Sequence, residues 1–128
     1  MEIEKQEKGD VVVLLPKGNL VFGGVKELED ILEALCNDAC NIILDLKYIK
    51  FISANALGII AYYAGCFREK QKGFKLIQIN TNIRKLMDIT GLLRIVEVFE
   101  NENEAISSMG PRVGKLEKTF LWSGEDVS

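Results

Sequence analysis

Few side chains in this chain could do chemistry. Histidine is absent, and the thiols are three: Cys36, Cys40 and Cys66. Without an imidazole the chain lacks the one side chain that ordinarily exchanges protons near neutral pH. It also has no Ser-x-x-Lys pair, no glycine-rich phosphate loop, and no carboxylate cluster whose spacing would converge two acids. Cys36 and Cys40 could share a metal only if Cys66 or carboxylates completed the shell, so the thiols are read as small apolar side chains. A non-enzymatic protein with no cofactor and no metal is expected. A few polar groups remain as candidates for a functional surface. Ser53 and Asn55 stand where an apolar helical pattern begins, Asp45 closes an apolar run, and Tyr62 lies beside Tyr63. At a helix start the Ser53 hydroxyl serves as an N-cap contributing about 1 kcal/mol, with Asn55 in the exposed first turn. A carboxylate at a strand end, as at Asp45, accepts backbone N–H groups from the next turn. Adjacent helical residues point about 100° apart, so one of the two tyrosines should face outward, where it would suit a partner surface.

Composition narrows the classes further. The chain has 128 residues, 48% of them hydrophobic and 27% charged, enough for one domain with one core. Its formal charge of −3, from 16 basic and 19 acidic residues, offers no field for nucleic acid. An odd cysteine count at spacings matching no disulfide framework, with no secretory leader ahead of it, points to a reducing, cytoplasmic compartment. The least polar stretch, 51–67, includes Ser53, Asn55, Gly58 and Gly65. It falls short of the roughly 20 apolar residues that span a bilayer, and it reads as a buried helix. With no lipidation signal either, no direct membrane insertion is expected, and any membrane association would run through a partner.

The elements that must position these residues follow from periodicity. Lys8, Gly9 and Asp10 form a turn between strands at 2–7 and 11–15, which pair as a hairpin; Pro16 and Gly18 end the second strand. Val25, Leu28, Ile31, Leu32 and Leu35 lie on one face of a first helix ending near Asn37. Within 41–46, the continuous apolar run Ile42, Ile43 and Leu44, closed by Asp45, predicts a central strand covered on both faces. A second helix follows Ser53, with Leu57, Ile60, Ala61, Ala64 and Phe67 on one face and Gly73 placed to stop it. A strand at 74–79, a helix opening at Asn82 and stopping at Gly91, a strand at 95–99 and a helix at 102–109 complete the order ββαβαβαβα. Strands and helices alternating after a hairpin predict an α/β fold with a mixed central sheet and helices packed against it.

Two segments carry a resemblance. NIILDLKYIKFISANALGII, residues 41–60, is similar to the strand, loop and helix of the STAS family, with the hydrophobic-Asp-Leu and Ala/Gly-Leu-Gly portions in register. LMDITGLLRIVEVFENENEAI, residues 86–106, resembles that family's third helix, Thr-Gly-Leu turn, last strand and Glu-Ala helix start. GNLVFGGVKELEDIL, residues 18–32, adds a weaker likeness. The resemblance implies a STAS (anti-sigma factor antagonist) fold over 1–110.

In STAS antagonists a serine at the start of the second helix is phosphorylated by the partner kinase, and the added charge abolishes binding. A helix N-terminus tolerates the phosphate, whereas roughly two negative charges inserted into a complementary interface repel an acidic partner. The family pattern Asp-Ser-Ser/Ala-Gly-Leu-Gly would place Ser53 at the acidic position, Ala54 at the phosphoacceptor, Asn55 at the next small residue and Ala56 at the first glycine. The acceptor hydroxyl is thus missing, unless a one-residue shift makes Ser53 a substitute. In the upstream loop Leu20 keeps the family's hydrophobic place, but Val21 stands where an aspartate is common.

The resemblance implies a regulatory module that captures an anti-sigma kinase or related protein through Leu20, Val21, Phe22, Ser53, Ala54 and Asn55. A second reading is a soluble accessory subunit of a membrane lipid or anion transport system, which needs the docking surface but no acceptor. A third is a homo-oligomeric STAS domain, hinted at by the apolar cluster Phe120, Leu121 and Trp122 in the tail. The tail, 111–128, has no period of its own and is expected to be mobile and dispensable. Truncation after Gly110 should therefore leave the melting temperature nearly unchanged. A drop of more than about 8 °C would mean that the cluster at 120–122 packs on the core.

Overall fold

The structure is a computed structural model that describes residues 2–20 and 23–109. Its elements run β1 (Glu2–Lys8), β2 (Val11–Leu20), α1 (Gly23–Asn37), β3 (Asn41–Asp45), β4 (Ile49–Ile52), α2 (Ala54–Glu69), β5 (Phe74–Ile77) and α3 (Thr81–Ile89). A single 3₁₀ turn, Leu92–Arg94, leads to β6 (Val98–Phe99) and α4 (Glu102–Ser108). The sheet order is β1-β2-β3-β5-β6, antiparallel between β1 and β2 and parallel elsewhere, so the mixed α/β architecture is as expected. The predicted tail at 111–128 and the loop residues Val21 and Phe22 lie outside the described residues.

Strand alternation divides the core. Val12, Leu14, Ile42, Leu44, Phe74 and Leu76 face α1, α2 and α3, while Val11, Val13, Leu15, Ile43 and Ile77 face Ala105 of α4. All five residues of β3 are buried, which is why that segment reads as an unbroken apolar run rather than an alternating one. Phe67 of α2 is fully buried and stacks on Phe74, with ring centroids 5.3 Å apart.

Three local expectations are corrected. β2 does not end at Pro16 but continues to Leu20. Its pairing with β3 stops at Leu14 and its pairing with β4 starts at Gly18, so Pro16 falls between the two parallel ladders, where a missing N–H costs little. Gly18, at φ +118°, takes up the irregularity where the register shifts. β4 was hidden for the same reason. Ile49–Ile52, absent from the predicted elements, pairs with the part of β2 beyond Pro16. Finally, Gly73 does not stop α2, which ends at Glu69; Gln71, at φ +59°, makes the left-handed turn, and the Lys72 N–H closes on the Phe67 carbonyl at 2.9 Å. Gly73 is small for another reason, because a Cβ there would come within 2.9 Å of the Met109 side chain.

Asp45 is 3% exposed at the end of β3. Its carboxylate accepts the Lys47 N–H at 3.0 Å and the Gln78 side-chain amide at 3.0 Å, with the Lys47 ammonium at 3.8 Å. It thereby holds the turn into β4, as expected of a strand-end carboxylate. Burial pushes its pKa up, and the Lys47 N–H, the Lys47 charge and Gln78 only partly offset this.

Two outcomes follow from this packing. Phe67→Ala should cost about 3–5 kcal/mol in urea unfolding, since it empties a fully buried, stacked position; a loss below about 1 kcal/mol would mean that the site collapses freely. For Asp45, a folded pKa above the unfolded one means that its contribution is greatest below the unfolded value of about 3.9 and is lost as the pH rises through the folded value. Stability measured from pH 7 down to about 4 should therefore shift in favour of the natural protein relative to Asp45→Asn. A shift toward the variant would show that the ionised carboxylate is the stabilising form.

Candidate partner-binding site

The start of α2 is fixed by backbone contacts. The Ser53 N–H donates to the Leu20 carbonyl at 2.9 Å, directly beyond the Leu20–Ile52 pairing of β2 with β4. The Ser53 hydroxyl accepts the Ala56 N–H at 3.1 Å, and the Ser53 carbonyl accepts the Leu57 N–H at 3.0 Å, so Ser53 is the N-cap. A second clamp comes from Asn80, the N-cap of α3. Its side-chain amide donates to the carbonyls of Ile49 and Lys50 at 3.2 and 3.1 Å, while its oxygen accepts the Ile83 N–H at 2.8 Å. The helix therefore opens two residues before Asn82, and its cap also pins β4.

The sequence-derived site residues divide accordingly. Ala54 and Asn55 are exposed side by side in the first turn of α2. Ser53 is half-buried, with its hydroxyl engaged in the cap. The Leu20 side chain is fully buried, so this residue contributes its carbonyl to the site's framework and no surface of its own. Val21 and Phe22 lie outside the described residues. Of the tyrosines, Tyr62 faces outward and Tyr63 is buried, their rings edge to face at 5.0 Å.

Beside Ala54 the structure adds residues that periodicity did not single out. Ala54, Leu57, Gly58 and Ala61 of α2 form one wall of a cleft of about 220 Å³, and Thr90, Leu92 and Ile95 form the other. Gly91, at φ +78°, makes the reversal that turns Leu92 inward beneath this cleft. Ile95 of this second wall is 45% exposed, and Ile89, next to Thr90 in the chain, is 81% exposed. The Thr-Gly-Leu turn was visible in the sequence, but its adjacency to Ala54, across more than thirty residues, was not.

The electrostatics are uniform. No charged side chain occurs between Ala54 and Phe67, and the first turn of α2 carries no acid. This surface presents apolar groups and the partial positive charge of a helix N-terminus. Such a surface can desolvate an apolar group. Among the described residues no three of His, Cys, Asp and Glu gather as a metal site, and no helix is long and apolar enough to cross a membrane.

Comparison with known proteins agrees with this geometry. Residues 2–105 match the STAS domain. Over 78 residues the chain is 27% identical to the anti-sigma F factor antagonist of Paenibacillus polymyxa, covering 60% of this chain and 67% of that one. The fold is similar to the crystal structure of an anti-sigma factor antagonist from Mycobacterium paratuberculosis, with a TM-score of 0.77 at 18% identity, over 84% of this chain and 92% of that one. It is also similar to part of the murine anion transporter Slc26a9, with a TM-score of 0.69 at 15% identity, over 81% of this chain and 18% of the transporter. With its hairpin, parallel ladders and capped second helix all in the matched span, the chain belongs to the STAS domain family and is anti-sigma factor antagonist-like.

Proposed function

We propose that this protein is a non-enzymatic regulatory module that binds a protein partner through the N-terminal turn of α2 and the adjoining apolar cleft, without a phosphoserine switch. The observation that carries the proposal is Ala54, an exposed methyl group where the family resemblance places the phosphoacceptor. Ser53, the one nearby hydroxyl that could substitute, is engaged as the N-cap, and using it would compete with a contact worth about 1 kcal/mol. The surface is then held permanently in its uncharged, binding-competent form. The partner favoured by the likeness to antagonists is an anti-sigma kinase or a related regulator in the cytoplasm.

The missing acceptor also favours a second reading, in which the chain is an accessory subunit of a lipid or anion transport system. Such a subunit needs the docking surface and no kinase-controlled charge. The two readings predict partners of different mass and class from the same surface.

The decisive variant is Ala54→Glu. A glutamate in the first turn complements the helix dipole, so folding stability should change by no more than about 1 kcal/mol. In a complex the same carboxylate is desolvated without a counter-ion, which costs several kcal/mol and so at least about a hundredfold in affinity. Titration of both proteins against the partner recovered from native lysate should show that loss. Equal dissociation constants would place the functional surface elsewhere, and stoichiometric phosphate on Ser53 after incubation with ATP and a partner kinase would restore the switch.

A further inference from the structure

A second cavity, of about 200 Å³, opens between α1 and the C-terminal half of α2, away from Ala54. Glu33, Cys36 and Asn37 line it from α1, and Tyr62, Cys66 and Glu69 from α2. Cys36 and Cys66 thus approach the same cavity from the two packed helices, with Tyr62 one turn before Cys66 on the same wall. Cys36 is buried and Cys66 half-buried, so solvent reaches the pair from the α2 side. Cys40 lines a different cavity, beside Lys72 and the β1–β2 turn. Two thiols that line one cavity from facing, packed helices are candidates for a disulfide bridge.

We propose that Cys36 and Cys66 form a reversible dithiol–disulfide pair that ties α1 to α2 on exchange with a low-molecular-weight disulfide. The Cys66 thiolate attacks one sulfur of that disulfide, whose S–S bond breaks and releases one thiolate. The Cys36 thiolate then attacks the Cys66 sulfur of the mixed disulfide and expels the second thiolate. Two protein thiols lose two electrons and two protons, and the small disulfide becomes two thiols. The order follows from access. Cys66 opens to the cavity, whereas Cys36 is buried, with burial raising its thiol pKa, and it acts only on a sulfur already beside it.

The test treats the full folded chain with oxidised glutathione and measures its intact mass. The expected product is about 2 Da lighter and carries no glutathione at Cys36 or Cys66. Trypsin should release residues 27–47 joined to residues 51–68, and a reducing dithiol should separate them. Because 27–47 holds both Cys36 and Cys40, the same linkage must also form in Cys40→Ser. In Cys66→Ser the 2 Da loss should disappear, with Cys36 left unmodified. A stable glutathione adduct on Cys66, a linkage that vanishes in Cys40→Ser, or no change in mass would each overturn the proposal.

Discussion

The candidate site hangs on one hydrogen-bonded junction, where the far half of β2 meets β4 and the Ser53 N–H closes on the Leu20 carbonyl. β2 serves two partners in turn, β3 along Val11–Leu14 and β4 at Gly18 and Leu20. A ten-residue strand is long enough to do both. The end of β2 therefore sets the height above the sheet at which α2 begins, and the Ser53 cap sets its direction. Asn80 reinforces the same junction from α3, because its amide holds the Ile49 and Lys50 carbonyls, so that β4 is pinned from two sides. Backbone groups left unpaired at such a junction would each cost more than a net hydrogen bond supplies.

From that junction outward, the chemistry of the surface is set by what is missing. The first turn of α2 has a helix N-terminus, an exposed methyl at Ala54 and an amide at Asn55, but no carboxylate and no free hydroxyl. A charge added there would meet no counter-ion in a buried interface, whereas the methyl can be buried together with Leu57 and Ile95. The cleft is lined mostly by apolar side chains. The buried Asp45 lies apart from this surface chemistry, its oxygens occupied by the Lys47 N–H and the Gln78 amide.

The two halves of α2 do different work. Its N-terminal half meets the exposed cleft, while its C-terminal half packs Tyr63, Ala64 and Phe67 into the core and faces α1 at Cys66. The helix has no charged residue until Arg68, so its N-terminal half carries no ionic side chain. Arg68 instead reaches the Ile95 carbonyl at 3.3 Å and ties the end of α2 to the segment that forms the cleft's second wall.

Local signals determined the element types. The β-branched run at 11–15, the helical spacing of Val25, Leu28 and Leu32, the unbroken apolar strand at Ile42–Leu44, and the caps at Ser53 and Gly91 are short-range patterns, each readable in the chain itself. The alternation of strand and helix then gave a mixed sheet, and the Asp-Leu and Thr-Gly-Leu motifs pointed to the STAS family. Where only long-range pairing decides, the sequence was silent. β4 exists because β2 outlasts Pro16, a fact visible only once both are in the sheet, and Gln71 ends α2 although an ordinary glycine signal stood two residues on. The cleft joins Ala54 to Leu92 and Ile95, and the thiol pair joins Cys36 to Cys66. Such neighbours carry no local periodicity, because they are brought together by the packing of helices whose own patterns say which face is buried but not against which partner.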